Sequence, residues 1–238
     1  MQLLINPKFN HLRSYLLHLE EHFEDEGQPL YRGVSRNEMR TLTVDGLTLW
    51  VKRYGKPKMK HRLRPWRRSQ AEKAYIGPLR LRERGFESPE PVAHISIRTG
   101  LFSHRHYFVS LKMPLRFTME DFVDVYEEDR AAGIVAFARF VARLHNKGVM
   151  HTNFASKNVL FDLVDGHWQF ALAEANRVKT KRHIGKKEGC RNFARLTGTT
   201  DFFEQVATAY AEARGLDPDE CRQLIVSAHD EWEATRKF

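Results

Sequence analysis

The sequence predicts an α+β chain in two parts, a strand-rich first half with one internal helix and a helical second half carrying a small hairpin. Three observations predict it. Two Asp–Gly pairs, Asp45–Gly46 and Asp165–Gly166, each sit between β-type runs, the strongest short signal for a hairpin. Ile134, Phe137, Val141 and Leu144 recur three and four apart, as one buried helix face requires. The pattern changes from extended to helical across 113–116, which reads as a linker between 1–112 and 113–238, the two parts of one domain.

Asn6, Pro7 and Lys8 open a helical pattern over 6–20, with Phe9, Leu12, Leu16 and Leu19 on one face, and it closes in the acidic stretch 20–27. Residues 30–32 and 40–44 read as strands, and 47–54 is the return strand after Asp45–Gly46. The basic, patternless 55–65 reads as a mobile connection. Ser69 is placed to cap a helix over 70–84 and Gly85 to stop it, although Gly77–Pro78 falls inside that span. Ser88, Pro89, Glu90 and Pro91 make a rigid turn, after which 92–97 and 106–111 pair, giving about five strands in all. The second half begins with a helix over 128–146, with Gly148 beyond it. A hairpin of 159–164 and 168–173 follows, then helices over 188–196, 202–214 and 218–237, the last with Pro218 in its first turn.

Composition narrows the function classes. Of 238 residues 42% are hydrophobic, and 16 Phe, 7 Tyr and 4 Trp supply core material, so disorder is a poor reading. No run is long and apolar enough for a membrane span, and the N-terminus lacks the apolar core of a secretory signal. Cys190 and Cys221 permit one disulfide without requiring it, and a reducing cytoplasm suits them at least as well. No Cys/His cluster has zinc-ligand spacing. The net charge of +9 is local: 52–84 holds 13 Lys/Arg against two Glu, and a second basic run spans 177–195. Such a field attracts phosphate, whether on a nucleotide, a sugar, an anionic lipid or a nucleic acid. Nucleic acid is the weakest of these, because the basic run has few aromatics beyond Trp66 and no reading motif.

The chemistry concentrates where the helix over 128–146 gives way to the second hairpin. His151, Asn153 and Asn158 keep the spacing of the kinase catalytic loop, in which a packed His, an Asp that orients the acceptor hydroxyl and a metal-binding Asn follow one another into a strand. Here Asn153 stands at the Asp position. Glu174, at the end of the second hairpin strand, stands where a metal-binding Asp is usual; its extra methylene moves the carboxylate by roughly an ångström. Lys52, in the strand run Leu49, Trp50, Val51, Lys52, matches the lysine that pairs with nucleotide phosphates, and Glu72 is the nearest helix carboxylate for it. Alternation puts Trp50 on the face of Lys52, where an indole either fills the base pocket or sandwiches a base. There is no glycine-rich phosphate loop, so Arg36 and Lys52 are the side chains left to hold phosphates.

With these residues in view, the chain resembles the lipopolysaccharide kinase family, enzymes that phosphorylate Kdo or heptose sugars of the lipid A core, and in particular a short bacterial branch of it. The resemblance runs over almost the whole chain, through INPKF, VKRY, RRSQAEKAY, RERGFESPEP, LHNKGVMHTNF, ANRV and EGCRNFARL. It implies a protein kinase-like two-lobed fold with a minimal C-terminal helical lobe. It implies ATP held by Lys52, Mg held by Asn158 and residue 174, residue 153 as base, and Arg177 bracing the metal loop or a substrate phosphate. The implied partner is a lipid A-core sugar or another phosphorylated envelope substrate, met in the cytoplasm at the inner face of the inner membrane, with the basic run against anionic lipid. Asn153, Glu174 and Trp50 depart from the family pattern. They leave two readings open: a degenerate member, a pseudokinase or weak kinase that uses a protein partner and no cofactor, and an active ATP- and Mg-dependent kinase. A basic nucleic-acid-binding module ranks below both.

Overall fold

The computed structural model describes residues 1–32, 37–55, 69–100, 103–122 and 128–236. The predicted mobile connection over 55–65 lies almost wholly outside them, as does Arg36. The described residues divide into two compact units, one of Met1–Glu83 with Ser88–Met113 and one of Arg84–Glu87 with Pro114–Phe238.

The first unit is built on a six-stranded antiparallel sheet, ordered β1 (Gln2–Ile5), β5 (Pro91–Gly100), β6 (Ser103–Leu111), β4 (Leu47–Tyr54), β3 (Glu38–Val44) and β2 (Gln28–Arg32). Asp45 and Gly46 close the β3–β4 hairpin at φ 49° and 73°, the left-handed pair a two-residue turn demands. The helix expected over 6–20 is instead three short pieces: a 3₁₀ segment Pro7–Leu12, α1 (Arg13–Leu17) and α2 (Leu19–Asp25), broken at His18 where φ is −105° and ψ 20°. The apolar spacing was right, because Phe9, Leu12, Leu16, Leu19 and Phe23 all bury against Leu42, Leu49, Val51, Tyr107 and Val109. The break lets one stripe follow a twisted sheet. Strand β1, hidden by its length of four residues, makes six strands rather than five.

Helix α3 (Gln70–Arg82) packs on the opposite face through Ala71 and Ala74 against Tyr54 and Phe108. Ser69 caps it by accepting from the Glu72 amide at 3.0 Å. The helix runs straight through Gly77–Pro78, both buried: packing of that face outweighs the local penalty. Under α2, Arg40 and Arg53 lie over the Phe23 ring, each 4.6 Å from its centroid, and both bond the buried Glu38. Burial alone would raise the Glu38 pKa, but the hydrogen bonds from Arg40 and Arg53 hold it below the ordinary value.

The second unit is organised around α4 (Arg130–Asn146), whose Ile134, Phe137, Val141 and Leu144 are all buried as their spacing predicts. Phe137 meets Phe154, Phe170, Phe193 and Phe202 at centroid distances of 5.7–6.5 Å. The hairpin of β9 (Val159–Val164) and β10 (His167–Leu172) gains a third strand, the two-residue β7 (Phe117–Thr118). Arg116, just before it, bonds the buried Asp162 at 2.7 and 2.8 Å. A separate ladder joins β8 (Val149–His151) to β11 (Val178–Thr180). These strands are too short for periodicity to reveal. Helices α5 (Lys186–Arg191), α6 (Thr200–Arg214) and α7 (Pro218–Ala234) complete the unit. Thr199 and Asp217 cap α6 and α7, and Gly215 at φ 62° ends α6. No helix among the described residues is long and apolar enough to cross a membrane.

Gly148 turns the chain from α4 into β8 at φ 67°, and a Cβ there would lie 2.0 Å from the Lys181 carbonyl oxygen. Gly85 has a similar φ of 77° but faces open space. Gly148→Ala is therefore expected to cost roughly 2–3 kcal/mol in urea denaturation, and Gly85→Ala only about 1 kcal/mol. Equal losses would show that the Lys181 carbonyl moves aside freely.

Candidate functional site

The second unit gathers His151, Asn153, Asn158 and Glu174 on adjoining segments. His151 ends β8, Asn158 closes a 3₁₀ turn, Ser156–Asn158, that feeds β9, and Glu174 follows β10. The Ala173 amide bonds the Asn158 carbonyl at 3.0 Å, which sets the segment before Glu174 beside the loop. Glu174 sits in the left-handed region at φ 42° and ψ 44°, a conformation that costs a side-chain-bearing residue energy and is kept only when its surroundings impose it.

Two hydrogen bonds impose the arrangement. His151, 2% exposed, donates from Nε2 to the Glu174 carbonyl at 3.2 Å. Its Nδ1 is then the unprotonated nitrogen, and burial lowers the ring pKa below the usual range. His151 thus packs as a tether between β8 and the Glu174 backbone. Asn158, 4% exposed, donates from Nδ2 to the Asn153 carbonyl at 2.8 Å. An amide has one donor end and one acceptor end, so this bond fixes Oδ1 as the end left for a ligand. The Asn153 side chain is only partly buried, and its Oδ1 accepts from Arg195 Nη1. A carboxamide has no basic atom, so Asn153 takes up no proton here.

The loop is braced from behind by a relay the sequence did not reveal. Arg214 Nη1 donates to the Tyr210 hydroxyl at 2.5 Å, which donates to His145 Nδ1 at 2.7 Å. His145 Nε2 donates to Asn192 Oδ1 at 3.1 Å, and Asn192 Nδ2 donates to the His151 carbonyl at 3.0 Å. The His145 side chain joins α6 to the loop. Asn192 ties its short helical segment to the loop, whereas Arg191 pairs with Glu231 on α7. Apart from Arg214 and Tyr210, one helical turn apart, the linked residues lie 41 to 65 positions from one another and leave no local pattern; the only hint was the stretch EGCRNFARL around Asn192.

Burial lowers the His145 pKa to about 4. The unfolded chain therefore binds a proton between pH 6.5 and 4 that the folded chain refuses, so stability falls as pH falls through that window. The expected slope from this residue is about 1.4 kcal/mol per pH unit. Urea midpoints between pH 7 and 4.5 should decline less steeply in His145→Gln, and an unchanged slope would assign the acid sensitivity elsewhere.

In the first unit, Lys52 is 8% exposed on β4, opposite Met39 and Phe108 in register, with Nζ 5.6 Å from the Tyr54 ring centroid. Leu49 and Val51 face the α1–α2 side, so Trp50, Lys52 and Tyr54 face the side that carries α3 and its Glu72. The partly buried Trp50 has an indole Nε1 with no hydrogen-bond partner among the described residues. Among the described residues no group of three or more His, Cys, Asp or Glu could hold a metal. Asn158 Oδ1 and the Glu174 carboxylate are oxygen donors of the kind Mg²⁺ takes, with substrate phosphates and water supplying the rest of an octahedron.

A family model described as Lipopolysaccharide kinase (Kdo/WaaP) family matches residues 20–213. A solved structure titled "WaaP in complex with acyl carrier protein" is similar at a TM-score of 0.67 and 19% identity, over 98% of this chain and 99% of that one. Among curated proteins none matches. At that identity the likeness carries the fold, an α+β architecture related to the protein kinase-like fold.

Proposed function

This chain belongs to the lipopolysaccharide kinase (Kdo/WaaP) family, and from that premise we propose that it transfers a phosphoryl group from ATP, with magnesium, to a Kdo or heptose hydroxyl of the lipid A core. The observation that carries the reading is the Asn158 amide, held by the Asn153 carbonyl at 2.8 Å so that its oxygen is the end left for a metal. The left-handed Glu174 tethered by His151 supports the same reading, since both residues are held in set positions beside the loop.

Asn158 Oδ1 and the Glu174 carboxylate would hold the magnesium, which when bound neutralises charge on the phosphates being separated. Lys52 supplies the fixed positive charge for the nucleotide phosphates, with Glu72 as its candidate orienting carboxylate. Asn153 orients without deprotonating. A general base contributes about 10²–10⁴ in rate where it is used. Phosphoryl transfer passes through a loose transition state and draws most of its catalysis from positioning and electrostatics, so a chain lacking the base remains an enzyme, though a slower one. The basic run supports contact with anionic lipid at the inner face of the inner membrane. Acyl carrier protein in the solved relative supports a protein partner here as well.

A pseudokinase is the second reading, favoured by the capped, non-basic Asn153 and by the indole at Trp50. Calorimetric titration with ATP, with and without Mg²⁺, and labelled transfer to a lipid A-core acceptor separate the two. Magnesium-dependent binding with transfer is the expected result. Binding without transfer across a broad screen of metals and acceptors would leave the pseudokinase.

A further inference from the structure

The partly buried position 153 keeps a hydrogen-bond donor unspent. Arginine carries only N–H groups, so the Asn153 atom that Arg195 touches is the carboxamide oxygen. The two Nδ2 hydrogens are left with no partner among the described residues. This is the reverse of what receiving a hydroxyl proton requires, and it suits a group rich in acceptor oxygens.

Arg195 itself is held ready for such a group. Its guanidinium lies over the Trp232 ring, 4.1 Å from the centroid, and is only partly buried. One turn earlier on α7, His229 bonds the Ala194 carbonyl at 3.2 Å, so the helix grips both neighbours. The acidic residues flanking Trp232 are engaged elsewhere: Glu231 with Arg191 at 2.7 Å and Glu233 with Arg236 at 3.1 Å. Among the described residues no carboxylate pairs with Arg195, and four of its five N–H groups remain available.

We propose that Asn153 and Arg195 form a subsite for a phosphate oxyanion, either the acceptor's own phosphate ester or the phosphoryl group in transfer, with Trp232 as the residue that positions it. The two sources rest on the kinase reading above; the subsite itself does not need ATP to be tested.

Inorganic phosphate is titrated into the full chain free of nucleotide and magnesium, following the Asn153 side-chain amide and Arg195 Nε–H signals by ¹⁵N NMR. Saturable shifts at both are expected. Arg195→Gln should weaken phosphate roughly tenfold or more. Asn153→Asp should abolish the response, because a carboxylate pairs with Arg195 and repels the anion. Trp232→Phe should retain most of the affinity and Trp232→Leu should not. Arg191→Gln removes an equal charge from an exposed pair and should change affinity by less than about twofold. Absence of shifts in the wild type, or an equal loss in Arg191→Gln and Arg195→Gln, overturns the subsite. A sugar 1-phosphate that perturbs these signals assigns the site to the acceptor; perturbation only by a non-hydrolysable ATP analogue with Mg²⁺ assigns it to the phosphoryl group in transfer. Phosphate shifts without any binding of the ATP analogue would retire the kinase reading and keep the subsite.

Discussion

Lys52→Met is expected to cut phosphoryl transfer by at least about 10²–10³, the usual cost of removing one preorganised charge from a polar transition state. The substitution isolates the charge. Lys52 is 8% exposed on a central strand, with its Nζ 5.6 Å from the Tyr54 ring centroid. Methionine keeps the apolar stem and the β4 pairing with β3 and β6, so the melting temperature should move by only a few degrees. Rate and melting curve measured on one preparation therefore separate chemistry from folding. A pseudokinase gives the opposite pattern: in cells dependent on this protein, the Lys52→Met chain would still restore the envelope phenotype. Full rescue by a variant without the ammonium would remove the enzyme from consideration.

Much of the fold was legible because its signals are local. Asp45–Gly46 and Asp165–Gly166 each adopt the left-handed pair their composition predicts. Ser69 and Asp217 cap the helices they precede. The stripe Phe9, Leu12, Leu16, Leu19 predicted burial correctly but not the break at His18, because periodicity records which side chains face a sheet and not whether one axis can follow its twist. Strands of two to four residues, β1, β7, β8 and β11, carry too few positions for a period. At the site, the spacing of His151, Asn153 and Asn158 was readable because a single loop fixes it. The orientation of each amide was not. The Asn153 oxygen meets Arg195, 42 residues away, and the loop is braced by Asn192, 41 residues from His151, and by Tyr210, 65 from His145; only the Asn158 bond to the Asn153 carbonyl is local.

Amide orientation also sets the outcome of the second large prediction. If Asn158 served only as a metal ligand, Asn158→Asp would be tolerated or even beneficial, since a carboxylate binds Mg²⁺ more strongly than an amide oxygen. Asn158, however, spends its donor end on the Asn153 carbonyl. Aspartate places an anionic oxygen against that carbonyl, in a position 4% exposed, and the repulsion turns the side chain or shifts the loop. Asn158→Asp is therefore expected to lose transfer by about 10² or more, comparable to Asn158→Ala, with the magnesium concentration for half-maximal rate raised in both. The readout that distinguishes the clamp from simple ligation is saturating magnesium. Excess metal would restore an Asp variant that had only altered affinity, whereas a loop whose Asn153 has lost its tether stays slow at any concentration. Wild-type transfer by Asn158→Asp at high magnesium would mean that the 2.8 Å bond does not organise the site.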